Sequence, residues 1–313
     1  MPSVKELFAK PWTWQKKGLL ITPQKEKWWM RTHTMTPTVD AVSEDIFRVY
    51  FCGRDKENRS QIGYATIEAK AGNLRLVEYA KEPSITIGDL GCFDDNGVTP
   101  SCVVTVGNKK FFYYIGWNKG ATVRMHLFGG LALSDDGGKT FYRYSKAPII
   151  ERNRINPLLN TSPFVLYDQG LWRMYYVAGV EWVHKDLPRY NIQYAESKDG
   201  YEWQREGHVC IDFASKDEVA LARPYVIVEE SIYKMWFCHK RETDNYQMGY
   251  AESTNGKDWR RCDDLAGISV SESGWDSQML AYPCIFKQGG YAYLLYNGNN
   301  YGAEGAGWAV TKL

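Results

Sequence analysis

Carboxylates stand at recurring places along this chain. Asp94 and Asp95 precede Pro100 in CFDDNGVTP, Glu218 precedes Pro224 in DEVALARP, and Asp276 precedes Pro283 in GWDSQMLAYP. Asp55 follows an aromatic run in FCGRDKENR. Two carboxyl groups held around one ligand can divide acid and base work, one protonating a leaving oxygen while the other activates water or attacks carbon. The candidate catalytic residues are therefore Asp95, Glu218, Asp55 and Asp276. Arg54, Asp94, Trp117, Asn118, Trp182, Arg223, Arg241, Tyr282 and Asn297 are the candidate ligand-binding residues. Aromatic rings stack on the C–H faces of sugars, while carboxylates and amides take hydroxyls. Guanidinium groups hold a carboxylate or a phosphate by two parallel hydrogen bonds. The same arginines can instead order loops by pairing with neighbours, Arg54 with Asp55 and Arg241 with Glu242.

These residues need elements to position them, and the chain supplies a repeat. Five short segments centre on a proline: HTMTPTV, GVTPSCVV, NTSPFVL, LARPYVI and LAYPCIF, with Pro37, Pro100, Pro163, Pro224 and Pro283 at intervals of 63, 63, 61 and 59 residues. An aromatic strand follows each one, as in FRVYFCGRD, KKFFYYIGWN and LWRMYYVAGVEW. A third strand comes next, as in IQYAES and MGYAES, and then a fourth. Aromatic and β-branched residues fit a pleated surface, and Gly punctuates it. Between third and fourth strands lie SDDGGKTF, SKDGYEW and STNGKDW. The first of these is similar to the Asp-box of sialidases and related propellers. Asp136, Asp199 and Asn255 in these turns read as structural, because Ser and Asx side chains close tight turns onto the backbone.

The last unit stops after its third strand, and the segment Gly18 to Pro23 is a candidate fourth strand for it. Pairing the two removes two sheet edges. The expectation is an all-β, five-bladed β-propeller of four-stranded antiparallel blades, a single domain over residues 1–313, with the last blade closed by an N-terminal strand. If the proline segments are the innermost strands, the loops leading into them and the loops from second to third strands share one face. That face collects His33, Asp94, Asp95, Glu218 and Asp276 from the first kind of loop. From the second kind come Arg54, Asp55, Trp117, Asn118, Glu181, Trp182, His239, Arg241, Asn297 and Asn299. The Asp-box turns lie on the other.

Along nearly its whole length the chain resembles the five-bladed enzymes of glycoside hydrolase families 32, 43, 62, 68 and 130. The features that carry this are the five units, the x-Pro inner strands and repeats such as IQYAESKDGYEW and MGYAESTNGKDW. The resemblance implies a glycosidase or glycoside phosphorylase working on a small carbohydrate in the central funnel. Acids in that group often stand directly before the proline. Here Thr36, Thr99, Ser162, Arg223 and Tyr282 occupy those positions, so the acid role falls to residues several places earlier. The arginines suit an acidic or phosphorylated sugar, or inorganic phosphate as the attacking group. Non-hydrolytic carbohydrate binding, a role in glycan biosynthesis, and a protein scaffold are the alternatives.

Composition narrows the partners. Of 313 residues, 44% are hydrophobic, and 38 Lys and Arg balance 37 Asp and Glu to a net charge of +1. That near-zero charge provides no broad basic field for nucleic acid or an anionic membrane. No run reaches the roughly 18 apolar residues of a spanning helix, and the start lacks a signal-peptide core, so a cytoplasmic location is expected. Cys52, Cys92, Cys102, Cys210, Cys238, Cys262 and Cys284 are scattered and never spaced as CxxC, which points to reduced thiols and no zinc site. The expectation is no cofactor, with an ion in the central channel left open.

Overall fold

The computed structural model of the chain describes residues 7, 8 and 10–313. Each proline segment opens an antiparallel group of four strands. The first contains β2 (Thr32–Ala41), β3 (Ile46–Arg54), β4 (Ser60–Lys70) and β5 (Asn73–Tyr79). The second has β6 (Gly97–Val106), β7 (Lys109–Lys119), β8 (Met125–Ser134) and β9 (Tyr142–Arg143). The third has β10 (Asn160–Asp168), β11 (Leu171–His184), β12 (Leu187–Ser197) and β13 (Gln204–Ile211). The fourth has β14 (Glu218–Glu229), β15 (Ile232–Arg241), β16 (Gln247–Ser253) and β17 (Arg260–Arg261). The fifth has β18 (Ala281–Gln288), β19 (Tyr291–Asn297) and β20 (Ala306–Lys312), and β1 (Gln15–Ile21) pairs antiparallel with β20 as its fourth strand. That strand starts three residues before the Gly18 expected from sequence.

Single parallel contacts join the first four groups: Ser60 with Gly97, Phe128 with Asn160, and Tyr190 with Ala220. The first strands of the groups pack in ring order, and β18 returns to β2. The pre-proline residues shape these inner strands. Thr36, Ser162, Arg223 and Tyr282 all have positive φ, between 51° and 61°. A register shift accompanies each one, the mark of a β-bulge. A left-handed conformation is unfavourable for a side-chain-bearing residue, and the surrounding ladder must hold it.

Tyrosines lock neighbouring groups together from the turn side. Tyr113 donates to the Gly200 carbonyl at 2.8 Å and Tyr175 to that of Gly256 at 2.7 Å, while Tyr50 reaches Gly138 in the same way. Between the fifth and first groups the Gly72 N–H donates to Tyr293 Oη at 3.0 Å. The Asp-box turns receiving these bonds are braced from within. Asp136 accepts from the amides of Lys139 and Thr140, and Asp199 from those of Tyr201 and Glu202. Gly200 and Gly256 sit at φ +79° and +72°, where a Cβ would meet the very tyrosine hydroxyls they serve. Among the described residues the interface between the fourth and fifth groups has no such turn, because the fifth group's third and fourth strands, β20 and β1, are not consecutive in sequence. Trp12 and Trp14 fill it instead, stacked 5.2 Å apart and edge-on to Trp236.

Candidate functional site

Three of the predicted side chains are tied into one repeated device. Asp94, 1% exposed, accepts from Tyr114 Oη at 2.9 Å and from Arg143 Nε at 2.8 Å. Asp276 accepts from Tyr296 Oη at 2.9 Å and from Lys16 Nζ at 2.7 Å. Glu218 takes two hydrogen bonds from Arg261, at 2.8 and 2.7 Å, with His239 Nδ1 at 3.1 Å and the Ala214 amide at 2.7 Å. In the third group Asn156 holds the equivalent place, bonded to Tyr176 Oη at 2.8 Å, while Arg205 reaches the Glu151 carbonyl at 2.7 Å. In the second, fourth and fifth groups a carboxylate at or before the start of the inner strand meets both the group's second strand and a cation from its outermost strand, and in the third group Asn156 and Glu151 share those two contacts. The device buckles the loop across the full width of the group.

Electrostatics follow from this pairing. Burial alone would raise the Glu218 carboxyl, but the hydrogen bonds from Arg261 and His239 outweigh it and bring it down to about 2. Burial acts the same way on Asp276, and the bonds from Lys16, Ser271 and Tyr296 again win, leaving it below the usual carboxylate range. A carboxylate held ionised so firmly is a poor proton donor near neutral pH.

The remaining predicted residues divide. Asp55 closes the loop from β3 to β4, accepting from the amides of Glu57 and Arg59, the Arg59 side chain and Gln61. Asn297, fully buried, accepts from the Thr36 amide and donates to the carbonyls of Thr34 and Gly305, which fastens the fifth group to the first. Arg223 extends from β14 to β6 and β2, donating to the carbonyls of Pro100, Ser101 and Pro37 and to Thr38 Oγ1. At 2% exposure the Arg223 guanidinium is a bolt at the hub of the ring, not an open anion site. Beyond it, the later halves of β2, β6, β10 and β14 wall a mainly apolar cavity of about 350 Å³. Arg241 lies on the surface beside Asp217, not Glu242.

Asp95 is different. Its side chain is half-buried and accepts from the Gly91 amide and from Asn118 Nδ2, each at 2.9 Å. Among the described residues it is the only one of the predicted carboxylates with no cation on it. Trp117 donates to Thr99 Oγ1 at 2.9 Å. Arg54 stays beside Met35 and Asn58, not Asp55. Burial and the Arg54 charge lower His33 to about 4.

An aromatic wall runs along the same face. Trp117, Trp182 and Tyr190 pack over Ile115, Leu127 and Val177. Tyr190 shares a hydroxyl-to-hydroxyl bond with Tyr246, whose ring is 6.3 Å from both Tyr282 and Tyr301. Sequence reasoning found Trp117, Trp182 and Tyr282 but missed Tyr190, Tyr246 and Tyr301. It also missed the buckling cations, for which a signal exists. An aromatic-x-basic step begins four of the five outer strands: Phe141 to Arg143, Trp203 to Arg205, Trp259 to Arg261 and Trp14 to Lys16. Among the described residues, no cluster of three or more His, Cys, Asp or Glu could hold a metal ion.

No protein-family model matches the chain. It is 36% identical over 301 residues to the uncharacterized proteins Rv1502 and MT1551 of two strains of Mycobacterium tuberculosis, covering 96% of this chain and 99% of each relative. Solved structures share its architecture at lower identity. A glycoside hydrolase superimposes with a TM-score of 0.75 at 18% identity, covering 95% of this chain and 91% of the other. A thermostable family-43 glycoside hydrolase gives 0.68 at 18%, with 90% of each chain covered. An endo-arabinase from Bacteroides thetaiotaomicron gives 0.63 at 14%, with 95% of this chain and 98% of the other covered. These likenesses establish an all-β fold of the propeller glycosidase kind, and the identity to the mycobacterial proteins places the chain in the family of Rv1502.

Proposed function

We propose that the five strand groups are the blades of one propeller domain, and that its loop-bearing face takes a small, anionic carbohydrate for glycosidase-type cleavage. The observation carrying this reading is the aromatic wall from Trp117 to Tyr301 beside Asp95, the one predicted carboxylate without a salt bridge among the described residues. Stacking rings would hold the sugar, and Asp95 would move the proton that a leaving oxygen needs. The fold likeness to glycoside hydrolases supports the same reading. Cleavage would transfer the glycosyl group to water, or to inorganic phosphate in a phosphorolysis.

A second reading has its own support. Asp55, Asp94, Glu218 and Asp276 all have cationic partners, which leaves one of the predicted carboxylates where hydrolysis ordinarily uses two. The face would then bind a carbohydrate without cutting it. Incubation with a panel of neutral and acidic oligosaccharides, with and without inorganic phosphate, separates the readings by mass spectrometry of the products. Release of a free sugar or a sugar phosphate supports cleavage. Intact oligosaccharides that nonetheless give saturable binding isotherms support the second reading.

A further inference from the structure

Among the described residues, two cations on the face described above have no acidic partner. Arg124 lies in the loop from β7 to β8, and its backbone N–H is tied to the Lys185 carbonyl at 2.9 Å, which brings that loop against the turn between β11 and β12. Lys240 comes from β15 and is half-buried, its Nζ 5.7 Å from the centre of the Tyr246 ring. Ala220 is laddered to Tyr190 on one side and to Lys240 on the other, so a small residue separates the tyrosine from the lysine. The hydroxyl pair of Tyr190 and Tyr246 completes the cluster. Among the described residues, neither Arg124 nor Lys240 makes a salt bridge, although twenty such contacts form elsewhere.

Two like charges from different groups of strands, one of them half-buried, repel unless an anion joins them. Burial and the charge of Arg124 together lower the Lys240 ammonium below its usual range, consistent with closeness and missing compensation. A carboxylate is satisfied by one guanidinium fork. A phosphoryl group has three oxygens and close to two charges, which suit a fork, a point-charge ammonium and a hydroxyl together.

We propose that Arg124, Lys240, Tyr190 and Tyr246 form a subsite for a dianionic phosphoryl group, carried by the sugar or arriving as free phosphate. The inference rests on the carbohydrate reading above and specifies which anion it involves and where it sits.

Isothermal titration with glucose 6-phosphate, mannose 6-phosphate, the two parent hexoses and inorganic phosphate tests it. At least one phosphate-bearing probe is expected to bind the wild type at least tenfold more tightly than its parent sugar. Arg124→Gln and Lys240→Met should each weaken that probe by about 10- to 100-fold, the loss typical of one charge-assisted contact. Neither variant should change the melting temperature by more than a degree or two. Free phosphate binding as tightly as the hexose phosphates, and falling equally in both variants, supports the subsite with phosphate as its source. Selective binding of the hexose phosphates supports it with the sugar as the source. Equal affinity for a hexose and its phosphate, or phosphate-dependent binding that both variants retain, overturns the subsite. If neutral oligosaccharides still bind or are cleaved in that case, the carbohydrate reading survives alone. No response to any sugar or phosphate overturns both.

Discussion

Removing the Arg261 partner of Glu218 should reveal what that buried carboxylate does. The pair is bidentate, with Arg261 Nη1 and Nη2 at 2.8 and 2.7 Å from the two carboxylate oxygens. Folding lowers Glu218 from 4.5 to about 2. At about 1.4 kcal/mol per pH unit, that is an upper bound of about 3 kcal/mol. The partner side chains retain contact with water, 16% exposed for Arg261 and 22% for His239, so screening reduces it to about 2 kcal/mol. A lowered carboxylate stabilises the fold fully above the unfolded value of 4.5, and that stability is lost as pH falls from there towards 2. Urea melts of wild type and Glu218→Gln should therefore differ more at pH 6 than at pH 3, with the difference shrinking by about 1 kcal/mol because the loss is still incomplete at pH 3. Arg261→Met leaves a buried charge with one weaker partner and should cost about 3 kcal/mol at pH 7. Combining the two substitutions should recover part of that loss. Arg261→Met within 0.5 kcal/mol of wild type would refute the buckle, on the scale of about 0.5 kcal/mol that marks an inert surface change. So would a Glu218→Gln protein with an unchanged melt and abolished turnover, which would return Glu218 to the chemistry.

Further outcomes follow from other parts of the fold. Deleting the chain through Pro23 removes Trp12, Trp14 and β1, exposes the β20 edge and should yield an insoluble or molten product; a cooperative melt at the wild-type temperature would contradict the closure. Asp136→Ala should lower stability by about 1 kcal/mol through lost turn bonds and leave sugar binding unchanged, as measured by melts and titrations. The NMR titration of His33 should show a value near 4, rising in Arg54→Met; because folding lowers this histidine, its contribution holds above about 6.5 and is lost as pH falls towards 4. A His33 titration at or above 6 would refute the buried, cation-flanked site.

Period and punctuation made much of the fold legible. The x-Pro segments, the aromatic strands and the Ser-x-Asp/Asn turns with their glycines each obey local rules, so the repeat could be cut into strands from the sequence alone. Strand β1 was found with a shifted start, because Gly18 lies at a bulge with φ +94° and the ladder begins before it. The partners of the acids were harder to read. Arg261 lies 43 residues from Glu218, and Arg143 lies 49 from Asp94. Both cations sit on strands of two residues, too short to carry periodicity. Loop position placed Arg223 and Asn297 on the ligand face, yet both are absorbed at the hub by backbone groups of neighbouring inner strands. Those bulged backbones expose carbonyls and amides that no sequence pattern announces.

Turnover by Asp95→Asn tests the central claim most directly. The wild type should cleave at least one member of an oligosaccharide panel supplied with phosphate, and Asp95→Asn should slow that reaction by about a hundredfold or more with an unchanged melting temperature. Asp136→Ala, altered on the opposite face, should retain full turnover. Wild-type rates in Asp95→Asn, or lost turnover in Asp136→Ala alone, would contradict both the assigned face and the residue assigned to proton transfer.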